Sequence, residues 1–178
     1  MNKLNNTALF IISLLVSLIL AEASFRIYIN YKMIYGMEMH KYAKKLKRPS
    51  SITGLSHEHI PNTAANLMGV NIKINNFGLR DNFIPKPKES NESRILFAGS
   101  SITLGWGVEY DSIFTTKLEH KLNENSYGKK YEVINSGIGN YNTQMEVIYT
   151  KSILKEVDPD LVILHFFLND IEILSNYN

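Results

Sequence analysis

Two adjacent serines follow an apolar stretch with the composition of a buried strand. The stretch runs from Arg94 to Ala98, and Gly99 separates it from Ser100 and Ser101. Parallel α/β sheets place their reactive groups at the carboxyl ends of strands, where side chains meet free backbone N–H groups. A serine hydroxyl there can act as a nucleophile when a base accepts its proton. The first hypothesis is therefore nucleophilic chemistry at this turn.

Two other polar turns follow apolar strands further along the chain. One is the glycine-containing stretch 135–142, and the other contains Asn169 and Asp170. If the strands are parallel, all three turns gather at one edge of the sheet. A serine N–H, a turn N–H and an asparagine carboxamide at that edge would supply the donors that acyl transfer directs at a developing oxyanion.

The three turns resemble the three sequence blocks of the SGNH/GDSL hydrolase superfamily, over about residues 69–172. The first block, Gly-Asp-Ser-x-Thr-x-Gly, corresponds to residues 99–105, with Ser100 in place of the aspartate. The second block, Asn-x-Gly-x-x-Gly-Tyr-x-Thr, corresponds to residues 135–143, and the third, Gly-x-Asn-Asp, to residues 167–170. The resemblance is specific because the blocks occur in order and at plausible spacing.

The resemblance implies a role for each matching residue. Ser101 would be the catalytic nucleophile and, through its N–H, one oxyanion donor. Asn140, where the family has glycine, and Asn169 would be the other donors, with Gly139 and Asp170 as neighbouring candidates. The implied activity is a serine ester hydrolase that removes acyl or acetyl groups and needs no cofactor and no metal. Extracytoplasmic members commonly act on cell-surface polysaccharide, so a carbohydrate ester is the expected substrate.

The general base is the part of the pattern that this sequence does not supply. The family's last block, Asp-x-x-His, carries the base, and none of the five histidines has an aspartate three residues before it. His165 lies in a predicted strand, where a buried, hydrogen-bonded histidine is expected. His57 and His59 are expected in a surface loop, with metal binding or a role as base as alternatives. Loss of a general base typically costs ~10²–10⁴-fold in rate.

Alternating strands and helices are expected to position these blocks. Apolar stretches predict three strands, at 94–98, 131–135 and 161–167. Asp111 is expected to cap a first helix that ends near Asn125, and a Thr143/Glu146 capping box is expected to begin a second. The alternation predicts an α/β fold with a parallel sheet. The resemblance implies the flavodoxin-like three-layer sheet of SGNH hydrolases.

The predicted sheet is incomplete relative to that fold, because three of its five strands are recognised. The stretch 161–167 is almost continuously apolar, as is typical of a strand covered on both faces. Here it would lie at an edge, which invites pairing or aggregation. The chain is therefore expected to be a truncated product, a fragment, or one part of a split protein whose partner chain completes the sheet.

The N-terminal region is predicted to be an anchor or a signal sequence. Residues 8–21 carry no charge, and continuation to Ile29 gives the roughly 20 residues that span a bilayer. Residues 1–30 are interpreted as a transmembrane helix in contact with lipid, as a cleaved signal sequence, or as a buried helix. The first two interpretations place the remainder outside the cytoplasm, membrane-anchored or secreted. The basic cluster at 41–48 favours the opposite orientation.

The rest of the chain is predicted to contain a stalk and one domain. Residues 31–68 are polar and basic and are interpreted as a linker, while residues 69–178 form the N-terminal part of the hydrolase domain. A net charge of +2 gives no case for nucleic-acid binding, and the sequence contains no cysteine.

Three functions remain open at this level. The first is an ester hydrolase, and the second is an O-acyltransferase in which a sugar hydroxyl discharges the acyl-enzyme. The third is a non-catalytic or truncated membrane-anchored module, in which Ser101 is a turn residue. Trp106 and Tyr141 flank the predicted site and are expected to pack, or alternatively to stack on a sugar.

Overall fold

The computed structural model describes residues 5–124 and 126–171, without the side chains of Asn30 and Asn169. The chain divides into two compact units, Met1–Glu38 and Met39–Asn178.

The first unit consists mainly of helix α1 (Asn6–Tyr31). Its segment Asn6–Ile29 has 24 residues and is long and apolar enough to cross a membrane, a property shared by N-terminal signal sequences. At about 1.5 Å per residue this segment spans roughly 36 Å. The side chains of Glu22 and Arg26 pair at 2.8 Å, one helical turn apart. An N-terminal apolar helix is therefore present, as predicted.

The remaining elements lie along the chain in the following order: α2 (Tyr35–Leu46), β1 (Lys47–Pro49), β2 (His57–His59), β3 (Thr63–Leu67), β4 (Val70–Ile74), β5 (Glu92–Gly99), α3 (Ser101–Leu104), α4 (Phe114–Asn123), β6 (Lys130–Asn135), α5 (Thr143–Val157) and β7 (Leu161–His165). Short 3₁₀ turns occur at Tyr110–Ser112 and Leu168–Ile171. Strands β1 and β2 form one antiparallel pair, and β3 and β4 form another.

Strands β5, β6 and β7 form a parallel sheet in the order β6-β5-β7. Phe97 of β5 is paired with Asn135 of β6, and Gly99 of β5 is paired with His165 of β7. The prediction of an α/β fold with a parallel sheet is confirmed. Because β5 is central, the turn that follows it is flanked by the carboxyl ends of its two neighbours.

Helix α5 covers part of this sheet with the apolar face that its sequence predicts. Met145, Tyr149 and Ile153 recur at intervals of four residues and are buried against Leu96 and Ile134 of the sheet. Burying one such apolar side chain stabilises the fold by ~1.5–3 kcal/mol. This packing fixes the position of the 135–142 turn, which connects β6 to α5.

Strand β7 is less covered than its composition predicts. Within the described residues it pairs with β5 alone, and the side chains of Leu161, Val162 and Leu164 are 42–50% exposed. The expectation that both faces of this strand are covered is therefore wrong for this structure. Among the described residues the second edge of β7 is unpaired, which agrees with the predicted position at the edge of the sheet.

The segment expected to be a stalk, residues 31–68, contains regular structure. It includes α2, the β1–β2 pair and β3, and from Met39 onward it belongs to the same unit as the sheet. This differs from a solvated linker because Tyr42 and Leu46, four apart on α2, are both fully buried. His57 and His59 lie in β2 rather than in a loop, and His59 is buried.

Both predicted helix caps need correction. Asp111 lies in the 3₁₀ turn Tyr110–Ser112, and α4 begins at Phe114 with no side-chain cap. The predicted end of this helix, Asn125, lies outside the described residues.

Helix α5 is capped by Asn142, whose side chain accepts a hydrogen bond from the Met145 N–H at 2.9 Å. The Thr143/Glu146 capping box does not form, because asparagine one residue earlier is an equally good cap. The buried Glu146 carboxylate has no hydrogen-bond partner in the described part of the chain.

Candidate active site

The serine turn is formed by the end of β5 and the start of the short helix α3. Ser100 is buried and its carbonyl accepts the Leu104 N–H at 3.0 Å, while Ser101 is half-exposed at the first helical position. Gly105 closes the turn in the left-handed conformation, with φ of 75°. An N–H at the first position of a helix has no partner within the helix. Ser101 therefore presents both a hydroxyl and an N–H at the carboxyl edge of the sheet.

The 135–142 turn packs directly against the serine turn. The Ile138 N–H donates to the Gly99 carbonyl at 3.1 Å, and the Asn135 side chain donates to the Thr103 carbonyl at 2.6 Å. A Cβ placed on Gly137 would lie 2.2 Å from the Leu104 nitrogen, so the two backbones approach as closely as glycine allows. The structure thus brings the first two sequence blocks together.

Asn140 occupies the position where the family pattern has glycine. Its φ is +69°, in the left-handed region that asparagine adopts more readily than most residues. The substitution is therefore compatible with the turn. Asn140 is exposed, and its backbone N–H makes no hydrogen bond to any described residue. The Gly99–Ile138 hydrogen bond joins the two turns. Ser101 follows Gly99 by two residues, and Asn140 follows Ile138 by two residues. Because two residues span at most about 7 Å, both Ser101 and Asn140 lie close to this bond.

The third block lies in the 3₁₀ turn Leu168–Ile171, after the end of β7. Asp170 is buried, and its carboxylate accepts the Phe167 N–H at 2.8 Å, which stabilises the turn itself. Its carbonyl accepts a hydrogen bond from the Thr143 hydroxyl at 3.3 Å. Asp170 therefore has a structural role in this arrangement. The side chain of Asn169, the predicted third oxyanion donor, lies outside what the structure describes.

No histidine is hydrogen-bonded to Ser101 within residues 5–124 and 126–171. His165 lies at the end of β7, half-buried and bonded to the Thr103 hydroxyl at 2.9 Å, consistent with the hydrogen-bonded role expected for it. His57 is bonded to the Gly139 carbonyl and His59 to the Gly78 carbonyl, each at 3.0 Å. Both ring nitrogens of each of these two histidines are hydrogen-bonded to groups other than Ser101. In the same residues, no group of three metal-ligating side chains is assembled.

The two aromatic residues that flank the predicted site are used for packing. Tyr141 is buried, and its hydroxyl donates to the His57 carbonyl at 2.6 Å. The Trp106 ring packs against the Tyr42 ring with their centroids 5.1 Å apart. The alternative of stacking on a sugar is therefore excluded for Tyr141, because its ring faces the interior.

Two residues that the sequence did not single out for the site contact the 135–142 turn, together with His57, which the sequence offered only as an alternative base or metal ligand. Tyr42 and Lys47 come from the α2–β1 segment, and His57 comes from β2; all three bond to the peptide groups of Gly139. Lys47, His57 and Asn140 also line an open cavity of about 450 Å³. No local pattern identifies these contacts, since they join residues 82 to 97 positions apart. The one sequence signal is the basic cluster at 41–48, to which Lys47 belongs.

Burial changes the protonation of Lys47 and His57. It lowers the pKa of the Lys47 amine to about 7, from an ordinary value of 10.5. Burial, together with the positive charge of Lys47, lowers the pKa of His57 to about 4. His57 is therefore neutral near pH 7, and the Lys47 amine loses its proton far more readily than an exposed lysine does.

Comparison with known proteins gives partial similarity in structure. No protein-family model and no curated protein sequence matches the chain. The chain is similar to the crystal structure of AlinE4, an SGNH-hydrolase family esterase, with 26% identity and a TM-score of 0.37. The similarity covers 43% of this chain and 41% of that esterase. An alanine mutant of AlinE4 matches with the same values. The chain thus matches about two fifths of the length of this esterase.

Proposed function

We propose that this chain is a membrane-anchored serine ester hydrolase of the SGNH type, with Ser101 as the nucleophile. The observation that carries the proposal is the Gly99–Ile138 hydrogen bond, because it joins the serine turn to the turn that carries Asn140. Both turns lie at the carboxyl edge of a parallel sheet, where α/β folds place reactive groups. A free N–H at each turn is the arrangement that an oxyanion hole requires.

In the proposed reaction, the Ser101 Oγ attacks the carbonyl carbon of an ester and its proton passes to a base. The carbonyl oxygen becomes an oxyanion held by the N–H groups of Ser101 and Asn140, with the Asn169 carboxamide as a third donor. The tetrahedral intermediate collapses, and the alcohol leaves with a proton. Water then attacks the acyl-enzyme, releases the carboxylic acid and restores the hydroxyl of Ser101.

The proton acceptor is proposed to be a histidine outside this sequence. The three histidines near the sheet edge and the second block, His57, His59 and His165, are all bonded to other groups. Without a positioned general base, turnover falls by ~10²–10⁴-fold. A small soluble imidazole that diffuses to Ser101 should therefore restore part of the rate.

The proposed setting is the extracytoplasmic side of a membrane, with a short acyl ester of cell-surface carbohydrate as substrate. Helix α1 supports an anchor in the lipid, because its predominantly apolar 24-residue segment Asn6–Ile29 is long enough to cross a bilayer. A partner polypeptide that continues the sheet toward a flavodoxin-like three-layer arrangement is proposed as well. The exposed leucines and valine of β7 support it, since parallel strands are normally covered on both faces.

The test is hydrolysis of a small acetyl ester by the full chain in detergent, with and without imidazole. Ser101→Ala is the negative variant, and Ser112→Ala, at an exposed serine in the 3₁₀ turn, is the matched control. We expect acetate release above the Ser101→Ala background, increased by imidazole and unchanged in the control. Equal rates for the wild type and Ser101→Ala in both conditions would make the chain a non-catalytic module. Transfer of acetyl to an added glycan, without acetate release, would assign an acyltransferase.

A further inference from the structure

The peptide groups on both sides of Gly139 are held by side chains from the α2–β2 region. The Gly139 N–H donates to the Tyr42 hydroxyl at 3.0 Å. The Gly139 carbonyl accepts hydrogen bonds from Lys47 Nζ at 2.6 Å and from His57 Nε2 at 3.0 Å. Lys47 Nζ also donates to Asn140 Oδ1 at 2.9 Å. One residue of the turn therefore receives three side-chain contacts from a segment more than 80 positions earlier.

The direction of each hydrogen bond follows from the atoms that take part. A carbonyl accepts only, so His57 carries its proton on Nε2, and its Nδ1 accepts from the Ser56 hydroxyl at 2.8 Å. The Tyr42 hydroxyl accepts from Gly139 and therefore donates to His59 Nε2, which lies 2.6 Å away.

The second ring nitrogen of His59 completes this chain of hydrogen bonds. His59 Nδ1 donates to the Gly78 carbonyl at 3.0 Å. Burial lowers the pKa of His59 to about 3, so the ring stays neutral and its single proton fixes the direction of the chain. Tyr42 is thereby committed to accepting from Gly139.

The supporting side chains are rigid because they are packed. Tyr42 is fully buried, with its ring against the rings of His59 and Trp106 at centroid distances of 5.7 Å and 5.1 Å. Lys47 Nζ lies over the same Tyr42 ring at 4.3 Å from its centroid. A Cβ on residue 139 would lie 2.8 Å from Tyr42 Cε1, so glycine is needed for this approach.

The contacts to the Gly139 carbonyl also fix the orientation of the Asn140 N–H. A trans peptide is planar, so the Gly139 carbonyl and the Asn140 N–H point in opposite directions. Two donors that fix the carbonyl therefore also fix the Asn140 N–H, and direct it away from Lys47 and His57. Donors on the carbonyl polarise the same peptide, which strengthens its N–H as a donor.

We propose that Tyr42, Lys47 and His57 are positioning residues that pre-orient the Asn140 N–H to hold the oxyanion. The inference rests on the proposed ester hydrolase function and adds to it a set of residues outside the three sequence blocks. The α2–β2 region is then part of the catalytic apparatus and not a spacer. Pre-oriented donors stabilise a transition state because no reorganisation is needed when charge develops.

The decisive variant is Lys47→Met, which removes the donor and keeps the apolar stem. Lys45→Met, at an exposed lysine of α2, is the matched control, and Lys47→Arg tests whether another donor can substitute. Tyr42→Phe removes the acceptor of the Gly139 N–H. All are made in the full chain, and acetyl ester turnover with imidazole is measured relative to Ser101→Ala.

We expect Lys47→Met to lower kcat by ~10–100-fold with KM unchanged, since loss of one oxyanion donor costs up to ~10²–10³-fold. Lys47→Arg should recover part of this loss, and Lys45→Met should match the wild type. In NMR spectra, the Asn140 amide nitrogen should shift upfield in Lys47→Met, and Gly139 amide exchange should accelerate in Tyr42→Phe. The Gly137 amide, which donates to Asn135 Oδ1 at 2.9 Å, should be unaffected in both.

Two outcomes would overturn the inference, and they are distinguishable. If Ser101-dependent turnover exists but Lys47→Met raises KM without lowering kcat, or leaves the Asn140 resonance unmoved, the inference fails and the proposed function stands. If the wild type shows no Ser101-dependent turnover with imidazole, the proposed function fails and the positioning role fails with it.

Discussion

The Thr103 hydroxyl and the Nδ1 atom of His165 lie 2.9 Å apart. This bond joins the end of β7 to helix α3, two residues after Ser101, and the His165 ring also packs edge-on against Phe114. His165 is therefore close to the serine turn but is used to hold it, and not to accept a proton from Ser101.

Replacement of His165 by phenylalanine tests this assignment. The variant keeps the aromatic contact but leaves the buried Thr103 hydroxyl without this partner, which should cost about 1–3 kcal/mol in the free energy of unfolding. Ser101-dependent hydrolysis without added imidazole should change by less than about tenfold, because loss of a general base costs ~10²–10⁴-fold. Hydrolysis reduced to the Ser101→Ala level in a folded variant would identify His165 as the base.

Gly137→Ala tests the contact between the two turns. The new Cβ would lie 2.2 Å from the Leu104 nitrogen and 2.7 Å from the Thr103 carbonyl carbon, and backbone atoms cannot move aside cheaply. We expect a loss of about 3 kcal/mol in urea unfolding. Gly36→Ala, where no atom lies within 4 Å, should not destabilise the chain. A Gly137→Ala variant as stable as the wild type would show that the turns are not in this contact.

Arg94→Met tests the buried ion pair at the start of the sheet. Arg94 Nε lies 2.7 Å from Glu92 and 2.8 Å from Glu132, and both arginine and Glu92 are buried. Removal of the cation leaves the buried Glu92 with only its longer contact to Lys130, at 3.5 Å, as a cationic partner among the described residues, so we expect a loss of about 3–5 kcal/mol in the free energy of unfolding.

The control for Arg94 is the exposed pair between Lys86 and Glu156, whose side chains are 40% and 58% exposed. Exposed pairs contribute ~0–1 kcal/mol, so Lys86→Met should have a small effect on urea unfolding. Similar losses in the two variants would contradict the assignment of Arg94 to the interior.

Lys47 should make stability depend on pH in a defined direction. Its pKa is about 7 in the folded chain and about 10.5 when unfolded, so the unfolded chain binds more protons between these values. The free energy of unfolding contributed by Lys47 therefore rises with pH through this window. Nearby, His57 stays neutral, Tyr42 stays protonated because burial raises its pKa, and Arg48 stays paired with Glu58.

The measurement is urea unfolding of the wild type and Lys47→Met between pH 7 and about pH 9, where tyrosines with an ordinary pKa of about 10 remain mostly protonated. The wild type should gain stability relative to the variant as pH rises. A difference that stays constant with pH would show that the Lys47 amine is solvated in the folded chain.

The strands of the parallel sheet could be predicted because each contains adjacent apolar residues and is ended by a glycine or a polar turn. The predicted limits at 94–98 and 131–135 agree with β5 and β6 within two residues. The helix starts were less predictable, since Asn142 and Thr143 are adjacent residues with similar capping preferences. Local sequence does not distinguish between them.

The contacts of Tyr42, Lys47 and His57 could not be predicted, because they depend on chain segments far apart in sequence. Histidine and lysine in a polar stretch normally indicate a solvated surface. Here the Arg48–Glu58 ion pair joins β1 to β2, and the buried Tyr42–His59 contact joins α2 to β2. Lys47 and His57 then bond to the Gly139 carbonyl in the 135–142 turn. Long-range packing of this kind leaves no periodic signal in a single sequence.

The central claim is that the Ser101 oxygen attacks an ester carbonyl, and its most direct test is the acyl-enzyme itself. The full chain in detergent is incubated with an acetyl ester and imidazole, quenched in acid, digested and analysed by mass spectrometry. The account predicts one added acetyl group on Ser101, absent in Ser101→Ala and unaffected by Ser112→Ala. Acetylation spread over surface lysines, with none on Ser101, would contradict it.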